Sequence, residues 1–148
     1  MVILFTLLLI AALTALAIID ARTYRLPDII TLPLIGLGVL QAYVLKLGWA
    51  ESLIGAAMGY AIFVAIETGF RKLRGKDGLG RGDAKLLAAG GAWCGWSGLP
   101  QIVLIASLMA LIALLFPSIR KRAEGGKIAF GPFLALGIVC VWGAMRLA

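Results

Sequence analysis

The chain has 148 residues, 62% of them hydrophobic and only 14% charged, with a mean hydropathy of +1.04; a soluble domain, whose charged share is normally about a quarter, has no interior large enough to hide so much apolar surface. Its net charge of +7 comes with no histidine and with two cysteines, Cys94 and Cys140, which excludes His-assisted nucleophilic catalysis and clustered Cys/His zinc sites. Lipid is therefore the expected solvent and one domain over 1–148 the expected organisation, with carboxylates, lysines, hydroxyls and backbone left to do any chemistry.

At about 20 apolar residues per crossing, six spans are predicted, over 2–19, 29–46, 53–70, 84–98, 101–117 and 130–147. They make an all-α polytopic membrane bundle. The first span has no basic segment before it and no small-residue cleavage site ahead of Asp20 and Arg22, so it reads as a retained helix rather than a secretory signal. The second contains Pro33, which a membrane helix tolerates where neighbours satisfy the freed backbone. The fourth, with "AAGGAWCGW", is short and glycine-rich and is expected to be tilted, partly unwound or shielded by its neighbours. Cys94 and Cys140 sit singly in apolar runs, as small packing residues do.

Charge in the connections sets the expected orientation. The 1–2 connection carries Arg22 and Arg25. The 3–4 connection carries Arg71, Lys72, Arg74, Lys76 and Arg81, with Lys85 just inside the fourth span, and the 5–6 connection carries Arg120, Lys121, Arg122 and Lys127. Of the 14 basic residues only Lys46 and Arg146 are left for the other side. Basic residues in short loops stay in the cytoplasm, so both termini are expected on the extracytoplasmic side of the membrane. The net charge is then topology, with a contribution to anionic-lipid contact, and no nucleic-acid partner is expected.

On this topology Asp20, at the end of the first span, and Asp83, at the start of the fourth, share one membrane depth on one face. Ionisable groups at such depth are functional candidates, because their desolvation must be offset by pairing or catalysis. Two close carboxylates share a proton; the ionised one activates water while the protonated one donates to the carbonyl oxygen, which hydrolyses a peptide bond without histidine or metal. The competing structural readings are that Asp83 caps the fourth helix and that Asp20 is an anchor paired with Arg22 or Arg25. Glu67 reads as a snorkelling or interhelical polar group with a substrate role as the alternative. Asp28, after Pro27, reads as the N-cap of the second helix or as a pocket residue. Glu51, Asp77 and Glu124 read as solvated loop charges.

The segment "GLGRGDAKLL" joins two membrane helices, so it lacks the strand–turn–helix setting of a dinucleotide fingerprint, and no GK[ST] follows to make a P-loop. Arg81–Gly82–Asp83 spells an adhesion tripeptide by coincidence on the cytoplasmic side. Glycines 78, 80 and 82 instead let backbone approach a substrate strand closely.

The string "GLGRGDAKLLAAGGAWCGW" resembles the GxGD segment of bacterial type IV prepilin peptidases, the leader peptidases of pili and type II secretion. "DARTYRLPDIITLPL" is similar to that family's first aspartate segment, and "IAFGPFLALG" to its Phe-Gly-Pro stretch at the start of the last helix. Three motifs in the family's order span most of the chain. The resemblance implies an aspartic endopeptidase with Asp20 and Asp83 as the catalytic pair and with Gly80 and Gly82 shaping the second site. Asp28, Lys85, Gly131 and Pro132, which lie within these motifs, are expected to bind substrate or shape the site. The implied substrates are prepilin or pseudopilin precursors, cut after a glycine at the cytoplasmic membrane boundary, with their apolar stems reaching the enzyme through the bilayer. The chain starts directly at its first helix and has no CxxC motif, so a peptidase-only form is expected, with no metal, no S-adenosylmethionine and no other cofactor. The archaeal preflagellin peptidases resemble it in the same terms. Two other readings stay open: a non-enzymatic transporter or assembly subunit using Asp20 and Asp83 as an ion or proton site, and a general GxGD intramembrane protease.

Overall fold

The computed structural model describes residues 1–74, 81–124 and 129–147, which are helical and contain no strand. Gly80, with Lys76, Asp77, Gly78 and Lys127, lies outside the described residues. The elements are α1 (Val2–Thr23), α2 (Asp28–Val44), α3 (Trp49–Arg74), α4 (Arg81–Cys94), α5 (Leu99–Ala113), α6 (Pro117–Glu124) and α7 (Gly131–Leu147), with a 3-10 turn at Trp96–Gly98 between α4 and α5.

Each predicted span is a helix, and the expected all-α membrane architecture holds. α1, α3 and α5 with its leading turn are long and apolar enough to cross a bilayer; α2 and α7 are shorter apolar helices. The differences are at the ends. α3 runs on to Arg74, so Arg71, Lys72 and Arg74 extend a helix beyond the predicted limit at 70. α6, eight residues opened by Pro117 at its first position, occupies the predicted loop between the last two spans.

α4 departs most from the expected 84–98. It starts at Arg81 and stops at Cys94, where Gly95 turns the chain with a φ of 75°. Its 14 described residues reach about 21 Å at 1.5 Å each, against the roughly 30 Å hydrocarbon layer. It is nevertheless regular, because its neighbours surround it. Every residue from Ala84 to Cys94 except Lys85 is buried, and α2, α3, α5 and α7 all pack on it.

Small residues make that possible. A methyl on Gly55 of α3 would lie 2.8 Å from the backbone carbon of Gly91 on α4, and one on Gly59 would lie 2.7 Å from the Leu87 carbonyl oxygen. Backbone-to-backbone approach of this kind holds membrane helices together where apolar burial gives no advantage over lipid. Hydrogen bonds reinforce it: the Ser52 hydroxyl donates to the Ala92 carbonyl, and Trp93 Nε1 donates to the Leu34 carbonyl at 2.9 Å. α1 contributes a stripe of Phe5, Leu9, Leu13 and Leu16 that continues, one turn on, into Asp20. Apolar side chains on the other faces, among them Leu7, Leu32, Leu40, Leu104 and Leu111, point outward and supply the lipid-facing surface. The pairings Lys85–Asp28, Gly59–Leu87 and Gly131–Asp20 bring the C-terminal ends of α1 and α3 and the N-terminal ends of α2, α4 and α7 to one end of the bundle.

Candidate active site

Asp20 faces inward because it continues the buried stripe of α1, and it is only 5% exposed. The turn that carries it is closed by Tyr24, which takes a left-handed conformation (φ 55°) and donates its N–H to the Asp20 carbonyl at 2.8 Å. The carboxylate finds its partner across the bundle, at the start of α7. The first N–H groups of a helix have no intrahelical acceptor; here Phe133 and Leu134 bond back to the Phe130 carbonyl, Pro132 has no N–H, and the Gly131 N–H donates to Asp20 Oδ2 at 2.9 Å. The electropositive end of α7 thus meets a negative group. Glycine is required there: a methyl on residue 131 would sit 2.9 Å from Asp20 Cγ. The anchor reading of Asp20 is corrected, since Arg22 and Arg25 are exposed while Asp20 turns to Gly131.

Asp83 is the third residue of α4 rather than its cap, which corrects the capping alternative. It is half-buried, and its carboxylate lies within electrostatic reach of that of Asp20. Two contacts hold this first turn of α4 against the α1–α2 connection. Gly82 abuts Leu26, whose Cβ would be 2.9 Å from an added methyl. Lys85 Nζ donates to Asp28 Oδ1 at 2.7 Å. The N-cap reading of Asp28 is also corrected: Pro27 occupies the cap, Asp28 is the first helical residue, and its carboxylate reaches α4 instead.

Two hollows lie at the C-terminal end of α1, lined by residues next to Asp20 in sequence but not by Asp20 or Asp83 themselves. An open groove of about 830 Å³ is lined by Thr23, Leu26, Pro27 and Asp28. A cavity of about 180 Å³ is lined by Tyr24, Arg122, Pro132 and Phe133. Phe63, Phe130 and Phe133 form an aromatic row beside them, with successive ring centroids 6.3 Å apart. Sequence reasoning did not single out these rings or Leu26. Phe63 carried a signal, because it shares the buried stripe of α3 with Gly55, Gly59 and Glu67; Phe130 carried none beyond its motif. Glu67 is buried one turn beyond Phe63, and Arg71 on the same helix donates to its Oε1 at 2.9 Å. Glu51 opens α3 at the other end of the bundle.

Of the expected site residues, then, Asp20, Asp83, Gly82, Asp28, Lys85, Gly131 and Pro132 gather at one end, and Gly80 lies outside the described residues. Among the described residues no three His, Cys, Asp or Glu side chains form a metal-ligand group. What the arrangement offers is acid–base chemistry by a carboxylate pair.

Residues 7–115, which include both aspartates, match the type IV leader peptidase family. The chain is 46% identical to a prepilin leader peptidase/N-methyltransferase of Dickeya chrysanthemi over 138 residues, covering 90% of this chain and 46% of that protein. The proteins of the same description from Escherichia coli K12 and Pseudomonas aeruginosa are 46% and 39% identical over 123 and 141 residues, covering 82% and 93% of this chain and 55% and 49% of theirs. The chain spans about half the length of these curated relatives. No solved structure matches it significantly. A helical bundle that brings two distant aspartates to one end, matched over most of its length, is a member of the type IV leader peptidase family.

Proposed function

We propose that the chain is an aspartic endopeptidase that removes the basic leader of type IV prepilin or pseudopilin precursors, with Asp20 and Asp83 as its catalytic pair. The observation that carries this reading is the convergence of the two carboxylates, 63 positions apart in sequence, within electrostatic reach at one end of the bundle. The names of the relatives support the substrate class.

In this reading the ionised aspartate takes a proton from water as the oxygen attacks the scissile carbonyl carbon, and the protonated one gives its proton to the carbonyl oxygen. The tetrahedral intermediate collapses when the first aspartate, now protonated, delivers its proton to the leaving nitrogen and the second recovers its own. The Gly131 N–H fixes Asp20, while the Gly82–Leu26 and Lys85–Asp28 contacts fix the turn that carries Asp83. Fixed geometry of this kind removes much of the entropic barrier. The groove beside Asp28 offers the extended leader junction a place to lie, and the apolar stem approaches from the bilayer.

The site belongs at the cytoplasmic face of the inner membrane, with both termini outside. The exposed basic residues Arg22, Arg25, Arg71, Lys72, Arg120, Lys121 and Arg122 support this, because the described helix ends that carry them lie at the end that holds the aspartates.

The test is co-expression with a prepilin. Asp20→Asn and Asp83→Asn are each expected to lower the rate of leader removal by at least about 100-fold, read as loss of the mobility shift, while membrane insertion persists. Cleavage at the normal rate by either variant overturns the dyad. A prepilin left uncut by the unaltered chain overturns the substrate class.

A further inference from the structure

At the end of the bundle opposite the aspartates, a cavity of about 210 Å³ lies between the ends of α2, α4 and α7 and the start of α3. It is lined by Gln41, Glu51 and Arg146, none of which the peptidase chemistry uses. Gln41 is 1% exposed; its Nε2 donates to the Gly38 and Trp93 carbonyls at 3.0 and 3.4 Å, but its Oε1 accepts nothing. Arg146 lays its guanidinium 4.1 Å above the Trp142 ring, and its buried Nε has no acceptor. These are the two buried side-chain polar atoms left without a partner among the described residues. Such atoms are few in folded proteins, and each calls for a partner from outside the chain.

The two orphans have opposite appetites. Arg146 offers a cationic donor in a partly desolvated setting, which suits a phosphate or carboxylate oxygen. Gln41 Oε1 offers an acceptor and Glu51 a negative charge, which together suit an ammonium. A simple anion would satisfy Arg146 but face the Gln41 oxygen and the Glu51 carboxylate. We infer that the cavity binds a zwitterion carrying both a phosphate and a primary ammonium, the chemistry of phosphoethanolamine. Phosphate meets Arg146, and ammonium meets Gln41 Oε1 and Glu51. The cavity opens past Leu47 and Met145, exposed apolar residues that also line it, so an acyl chain attached to that headgroup continues onto the lipid-facing surface. This site is independent of the proposed peptidase activity.

Thermal unfolding of the full chain in detergent tests it. Added phosphatidylethanolamine is expected to raise the Tm by about 5–10 °C at about a hundredfold excess over its Kd. Phosphatidylglycerol, which lacks the amine, and phosphatidylcholine, whose ammonium has no N–H, are expected to give less than half that shift. Arg146→Gln and Glu51→Gln are each expected to abolish the difference among the three lipids; Glu51 is exposed, so its variant keeps the test open if Arg146→Gln folds poorly. Soluble O-phosphoethanolamine separates the sources: a shift equal to the lipid's assigns the site to a free phosphoamine, and a shift from the lipid alone assigns it to the membrane. Equal shifts with all three lipids, no shift with either ethanolamine compound, or a preference retained in Glu51→Gln overturns the inference.

Discussion

Asp20 depends on a residue with no side chain. Its carboxylate occupies the space a methyl on Gly131 would need, and it takes the N–H that α7 leaves unpaired. Gly131→Ala is therefore expected to push the carboxylate aside while leaving the rest of the bundle packed. With Asp20 in its proposed catalytic role, a displacement of about 1 Å is enough to cost on the order of 100-fold, and the loss should fall on kcat, with KM within about twofold, because the contact of Gly131 is with the Asp20 carboxylate. Cleavage kinetics on a prepilin peptide, with the Tm measured alongside, checks this; a matching loss of folding, or a rise in KM alone, would assign Gly131 a different role. The two aspartates were legible in sequence because carboxylates are conspicuous at the edge of apolar spans. Their fixings were less so. Nothing local to Asp28 says that it reaches 57 residues along to Lys85 rather than capping its own helix, and nothing in Leu26 says that it meets Gly82. Both are facts of tertiary packing.

α4 shows how a glycine-rich element stays regular. It replaces lipid by protein on all sides, and the cost is that its neighbours must come closer than side chains allow. Gly55 and Gly91 each lie where the other's carbonyl would meet an added methyl. Gly55→Ala or Gly91→Ala is expected to force α3 and α4 apart and to destabilise by about 1–3 kcal/mol. Gly36 in α2 and Gly143 in α7 have nothing within 4 Å of the equivalent position, so alanine there should be neutral or stabilising by up to about 1 kcal/mol. Thermal unfolding of the four variants in one detergent separates the two classes, and similar losses in all four would remove the close-approach argument. The helices themselves were legible, since long apolar runs have few alternatives in lipid. Their ends were not. Hydropathy does not stop α4 at Cys94; the left-handed Gly95 does. Nor does it mark α6, which is polar and needs only Pro117 to start. The sequence left α4 as tilted, unwound or shielded, and deciding among these took knowledge of which glycines meet.

At the scale of the molecule, positive charge and the two aspartates are gathered at the same end. Among the described residues, Arg22, Arg25, Arg71, Lys72, Arg120, Lys121 and Arg122 are exposed at the end that holds the aspartates, whereas Lys46 and Arg146 stand at the other end with Glu51. Basic short loops resist translocation, so in the proposed orientation this distribution puts the aspartates on the cytoplasmic side. A basic leader retained in the cytoplasm by the same rule would arrive on the side where Asp20 and Asp83 converge. The orientation is checked by cysteine labelling in a Cys94→Ala, Cys140→Ala background. Ala50 at the start of α3 and Ser118 in α6 are both exposed and lie at opposite ends. Ala50→Cys is expected to react with a membrane-impermeant maleimide in cells whose outer barrier is opened but whose inner membrane is intact. Ser118→Cys should react only after that membrane is permeabilised. The reverse pattern would put the aspartates outside, out of reach of a leader held in the cytoplasm, and would remove leader cleavage as their function; labelling of both sites in intact cells would mean that the bundle inserts in two orientations.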